Sequence, residues 1–430
     1  MEKLMETARK HADKVEIYSD TRNSDEVSFE NSRLKDIDSS MQSGIGLTLI
    51  KDGKLGYAYT RNLIDREALV RNALDAIKGG VEADYDLPLT KDLPELKTYD
   101  PEVEQLSPTR MVDECERVCA HFKDKTKGQF NISAGRTVTT VRVINSAGTD
   151  VSSQESSYYT YAALYYPGSY SSISRINIAK KFEPVSDNDL NYILDTYTAS
   201  LTELKPDSGR ARVMFLPMTL YALVWRIKAA ANGKSVYEKV SPLKDKLGEK
   251  VLNDKLTLTD KPRDDRWPGA RSFDDEGTAC NEFPLIDKGV LKSFYYDRFY
   301  AWKNKVEPTG HGFRSGVTSR AVPEMEHLVI EPGDMSFADL LKEMDTGIIV
   351  GGVLGAHSGN ILHGDFSIGL SPALRVEGGE VVGHVKDAMV AGNVYETMQH
   401  VIGIEDRLYP GFMGKFPAVL FDNLSFARKK

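Results

Sequence analysis

Apolar residues first recur along this chain at helical spacing. Leu4, Met5, Ala8 and Ala12 share one side of a charged stretch, which predicts a short amphipathic helix over residues 2–13. From Lys14 to Thr60 the period falls to two, with Val15/Ile17, Val27/Phe29, Leu34/Ile37, Leu47/Leu49 and Tyr57/Tyr59 alternating against polar neighbours. With the turn signal Lys51-Asp52-Gly53-Lys54, this predicts an antiparallel meander. The helical period then returns: Asp65 caps a stripe of Leu69, Ala73, Ala76 and Ile77, and Gly79-Gly80 stops it.

Residues 81–106 have no period and are expected to cross the surface. Ser107-Pro108 starts a helix whose buried stripe is Met111, Cys115, Val118, Cys119 and Phe122. Three strands follow, Thr137–Asn145, Val151–Tyr166 and Ser171–Lys181, and then a helix capped by Asp187 and stopped at Lys205-Pro206. The tyrosines of the middle strand read as an ordinary half-buried sheet face.

Beyond the linker Pro206-Asp207-Ser208-Gly209, strand Ala211–Leu216 leads into a helix over Pro217–Asn232. Phe273–Ala301 contains an acidic turn (Asp274, Asp275, Glu276, Gly277), an extended segment, a turn at Asp287-Lys288-Gly289 and a strand ending in aromatics, which reads as a β-hairpin. Ser336 and Asp339 form a capping box, Gly378-Gly379 marks another hairpin, and Asn393 caps a last helix. No repeat of 20–50 residues is present. Helices and antiparallel strands are segregated, so the expected class is α+β. Two domains are expected: an N-terminal antiparallel sheet with helices over 1–205, and a β-rich unit with a few helices over 206–430.

At 430 residues, 41% apolar and 27% charged, the chain has the composition of a globular protein. No window approaches the roughly 18 apolar residues of a membrane span, and the charged first helix differs from a signal peptide. A net charge of −8 with no basic block removes the electrostatic footprint of a nucleic-acid binder. Three cysteines are too few for a disulfide framework, so a cytoplasmic location is expected.

Chemistry-bearing motifs are scarce. None of the eight histidines is followed by Glu. His357, His363 and Asp365 lie close together in a glycine-rich loop, a trio able to bind a divalent ion or simply to satisfy buried backbone. Gly351-Gly352-x-x-Gly355 lacks the Lys-Ser/Thr of a P-loop. There is no G-x-S-x-G elbow, and Cys280 has no basic sequence neighbour to activate it.

Wording adds what pattern does not. The segments VRVINSAGTDVSSQESS, SPLKDKLGEKVLNDKLTLTDKP, DDEG followed by PLIDKGVL, TGHGFRSG, GDFSIGLSPALRVEGGEVV and AGN occur in an order that closely resembles the TldD/PmbA family, metalloprotease subunits also labelled modulators of DNA gyrase. The charge pattern lends that second label no support. In the family's catalytic branch, the helix opening the second domain bears HExxxH, whose histidines bind zinc while the Glu activates water, and a late Cys adds a ligand. Here that helix offers Met218, Thr219, Leu220, Tyr221, Ala222 and Leu223, and the run EDRLYPGFMGKFPAVLFDNLSF contains no Cys.

The resemblance therefore points to the TldE/PmbA-like branch, with no catalytic residue and no metal or cofactor in this chain. It implies a heterodimer with a TldD-like, HExxxH-bearing subunit that carries the zinc and cleaves unfolded peptides. The alternative is a homodimeric peptide-binding protein without proteolytic activity. Asp275, Glu276 and Gly277, with Gly364, Asp365, Phe366 and Ser367, are the candidates for lining the peptide cavity. Neither nucleic acid nor membrane is an expected partner.

Overall fold

A computed structural model describes residues 1–126, 128–411 and 413–429. Six antiparallel strands form the N-terminal sheet: β1 (Lys14–Glu30), β2 (Arg33–Lys51), β3 (Lys54–Thr60), β4 (Gln129–Asn145), β5 (Asp150–Tyr165) and β6 (Ser172–Ala179). Their order is β3-β2-β1-β4-β5-β6. Because successive side chains alternate between faces, β1 sends Val15, Ile17, Val27 and Phe29 to one side. There they are buried with helices Glu2–Ala8 and Arg66–Ile77 at one end, and with Pro108–Phe122 and Asp187–Ala199 at the other. Tyr18, Asp20 and Arg22 lie on the opposite face, away from these helices.

The C-terminal half opens with β7 (Gly209–Phe215), which pairs in parallel with Gly347–Val350 and antiparallel with Val419–Arg428 in a nine-stranded sheet. A second, six-stranded sheet contains Leu258–Asp260, Phe283–Asp287, Leu328–Ile330 and Gly414–Phe416. One apolar cluster fills the space around helix Tyr221–Ala231. Another is continuous from Val27, Met111 and Leu190 to Met214, Leu340, Ile349 and Leu420, so the two halves share a core.

Several expectations hold in detail. Ser107 caps Pro108–Phe122, and its stripe is buried throughout. Ser336 and Asp339 exchange hydrogen bonds as a capping box, with the Ser336 hydroxyl donating to Asp339 Oδ2 at 2.6 Å. Others are corrected. The helix expected from Pro217 begins at Tyr221, because residues 217–220 form a turn, with the Thr219 hydroxyl donating to Leu216 O at 3.0 Å. Ser186, not Asp187, caps the helix that ends at Ala199, well before Lys205-Pro206. In the hairpin, Phe283–Asp287 pairs with Val290–Leu291, but the aromatic run continues as a helix, Arg298–Asn304, because Asp297 caps it through Tyr300 N.

Candidate active-site cavity between the two halves

The polar face of the N-terminal sheet is the floor of a cavity of about 670 Å3. Tyr18, Asp20 and Arg22 of β1, Thr139 and Val141 of β4, Glu155 of β5 and Ile178 of β6 point into it. The roof comes from the C-terminal half: Trp267–Gly269, Arg271, Asp275, Arg314–Thr318, Glu324–His327, Pro410, Gly411 and Met413–Lys415. The floor is thus set by strand alternation, and the roof by segments that no single sequence period connects.

Ion pairs brace this junction. Arg271 Nη1 is 2.7 Å from Asp275 Oδ1, and Asp275 Oδ2 accepts from Arg314 N at 2.9 Å. Arg314 Nη2 donates to Glu16 Oε1 at 2.7 Å, joining roof to sheet through a pair hidden from solvent on both sides. The Tyr57 hydroxyl adds a bond to Val317 O at 2.6 Å. Lys228 reaches the cavity from helix Tyr221–Ala231, where its ammonium lies 2.5 Å from Glu324 Oε1 and donates to Met325 O.

The environment shifts several lining groups. Desolvation by the cavity walls, reinforced by Asp275, pushes the Glu326 carboxyl up to about 7. Burial also raises Glu155, with Arg271 opposing. It depresses the Lys415 ammonium and lowers His327 to about 4, so His327 is neutral at physiological pH. Acid, base and hydrogen-bonding groups therefore surround a space large enough for a short peptide segment.

Of the residues singled out in the sequence, Asp275 lines the cavity. Glu276 lies behind it, buried, with Oε2 accepting from Arg298 N at 2.8 Å. Gly277 takes φ +74° beside Thr149 and Val143. Gly364, Asp365, Phe366 and Ser367 lie elsewhere, at the start of the strand Asp365–Leu370 in the nine-stranded sheet, and none of them lines this cavity. Phe366 is in the core, and Asp365 Oδ1 accepts from Asn393 Nδ2 at 2.9 Å. His357 and His363 are exposed, and the described residues contain no group of three or more His, Cys, Asp or Glu placed to hold a metal ion. Cys280 is buried, its thiol donating to Gly310 O at 3.2 Å and pushed up by burial.

Sequence reasoning missed Arg271, Glu155, Lys228 and Glu326. Glu155 alone carried a signal, since strand alternation places it on the face opposite Gln154 and Ser156.

The turn at 217–220 and the C-terminal run meet beside this cavity. Pro217 and Met218, in the turn before the helix, share a small pocket of about 120 Å3 with Tyr409 and Pro410 of the C-terminal run. That pocket has Ile178, Trp267 and Pro410 in common with the large cavity. From that turn the pocket receives only the Pro217 ring and the Met218 thioether, and the neighbouring Thr219 spends its hydroxyl on Leu216 O and Val350 O. This is not a donor set that fits zinc.

Two metallopeptidase family models match this chain. Residues 208–428 match the PmbA/TldA metallopeptidase C-terminal domain, and residues 15–79 match PmbA/TldA metallopeptidase domain 1. The chain belongs to the PmbA/TldD family. It is similar to TldE of Thermococcus kodakarensis, with a TM-score of 0.90, 25% identity and 99% of each chain covered. A Thermotoga maritima protein named as a modulator of DNA gyrase superposes with a TM-score of 0.86 at 26% identity, again over 99% of both chains. In sequence, a metalloprotease of Methanothermobacter thermautotrophicus is 27% identical over 419 residues, covering 93% of this chain and 90% of the relative. No helix among the described residues is long and apolar enough to cross a membrane.

Proposed function

We propose that this chain is the non-catalytic, TldE-type subunit of a heterodimeric metalloprotease that acts on unfolded peptides. One observation carries the reading. The chain matches metallopeptidase family models, yet the stretch Met218–Leu223, where the resemblance would place HExxxH, holds neither His nor Glu. The peptide-bond chemistry, the zinc and the general base then belong to a TldD-like partner bearing HExxxH. This chain contributes walls to the substrate cavity, with Asp275, Glu155 and Glu326 among the polar groups a peptide meets.

Native mass spectrometry of the tagged chain recovered from its own cells tests this. The expected result is a one-to-one complex with a zinc-containing, HExxxH-bearing subunit, with peptidase activity in the complex and none in the isolated chain. A zinc-free homodimer would overturn the proposal in favour of a peptide-binding protein. Metal and peptidase activity on the lone chain would overturn it as well.

A further inference from the structure

A second concavity, about 590 Å3, lies outside the cavity. It runs between residues 150–154 of β5 and the crossing segment 90–98, with Ala270, Arg271 and Ser272 at one end. β6 pairs with β5 only over Tyr158–Tyr165. The first residues of β5 therefore have β4 on one side and no strand on the other.

In an antiparallel ladder, alternate residues turn both N–H and C=O to the same edge. Ser156 N donates across the groove to Thr98 O at 2.9 Å, and Gln154 O accepts from the Thr98 hydroxyl at 2.7 Å. The even-numbered residues thus face the open edge. Ser152 N–H, Ser152 C=O and Gln154 N–H have no hydrogen-bond partner among the described residues, so they form an unpaired main-chain row.

Two further features fit polypeptide as the occupant. The side chains around the groove, including Lys91, Asp92, Glu95 and Asp150, mix both signs and offer no deep apolar pocket, so they select for main chain more than for any one side chain. Arg271 also lines the interior cavity, and Glu155, the next residue along β5 after Gln154, projects into that cavity. The unpaired edge and the cavity are therefore neighbours along one strand.

We infer that the open edge of β5 at Ser152–Gln154 binds an extended polypeptide by adding it as a further strand, directing it past Arg271 to the cavity. This rests on the peptide-handling reading above. A strand rises about 3.4 Å per residue, so the free 152–154 edge accommodates roughly three residues of ligand. Main-chain pairing makes the site tolerant of sequence and blind to folded chains, whose backbone groups are already satisfied.

The test uses the full chain and a fluorescein-labelled, end-capped Thr/Val peptide, read by anisotropy. Ser152→Pro removes the outward N–H without touching the ladder to β4, a substitution that edge strands accept. Binding is expected to weaken by about tenfold or more, the scale of one or two lost main-chain hydrogen bonds. Ser152→Ala is expected to bind like the wild type, and a peptide N-methylated at alternate residues is expected to lose affinity as Ser152→Pro does. Matching thermal melts for the two variants show that the fold is kept.

Peptide binding that survives both Ser152→Pro and N-methylation would overturn the inference while leaving the subunit reading intact, as would absence of binding to the wild type. Failure to find an HExxxH partner would overturn the subunit reading alone, since the edge experiment needs no partner.

Discussion

Asp297 serves two ends that its surroundings set against each other. Its Oδ1 accepts from Tyr300 N at 2.7 Å and so starts the helix Arg298–Asn304. Burial, with repulsion from Asp274, pushes the same carboxyl up to about 7. Asp274 is raised to about 6 by burial, and Glu276 is raised further by burial and by Asp297. For an acid whose folded pKa exceeds its unfolded value near 4, the folded state binds the proton more tightly. Its contribution to stability is greatest at low pH and is lost as pH rises from about 4 to about 7. Asp297→Asn keeps the cap and removes the charge. It is expected to gain stability over the wild type progressively across that window, as read from urea midpoints at several pH values; a gain independent of pH would refute the cause given. Arg314 presents the opposite case, since Glu16 is its buried partner. Arg314→Ala strands that carboxylate and is expected to cost about 3–5 kcal/mol in urea unfolding.

Elements differ in how far their own residues determine them. Ser336 begins a helix through local bonds alone, so Ser336→Ala is expected to cost about 1 kcal/mol by thermal melting. Such caps, the Lys51–Lys54 turn and the Gly378-Gly379 hairpin were legible in the sequence because the signal and the structure occupy the same few residues. The Arg298–Asn304 helix was not, since its aromatic side chains suit a strand equally well and only the Asp297 cap decides. The loop at 355–365 depends on a distant group: Arg226, fully buried, donates to Asp365 O at 2.9 Å, Ala356 O at 3.1 Å and Ser358 O at 2.7 Å, and also to Ala222 O. Arg226→Leu leaves those carbonyls unpaired in the interior. We expect a loss of at least about 3 kcal/mol, with hydrogen exchange accelerated first in residues 355–365. A change confined to other regions would show that the guanidinium does not hold the loop.

At the scale of the whole molecule, the fold class was legible because helical segments and period-two strands are segregated along the chain, and the family was legible because its segments recur in order. The cavity was not. Asp275 was found through its acidic turn, but Arg271, Lys228 and Glu326 reach the same space from segments far apart in sequence, and only the packing of two halves brings them together. The central position of β7 carries one more consequence. Its antiparallel neighbour is Val419–Arg428, more than two hundred residues later. During synthesis β7 emerges early and must wait, with one edge bare, for nearly all of the remaining chain to be translated. A ribosome that stalls before residue 419 releases a product lacking the middle of its largest sheet. Such fragments offer cellular proteases a ready substrate, so production of the finished chain is sensitive to interrupted translation.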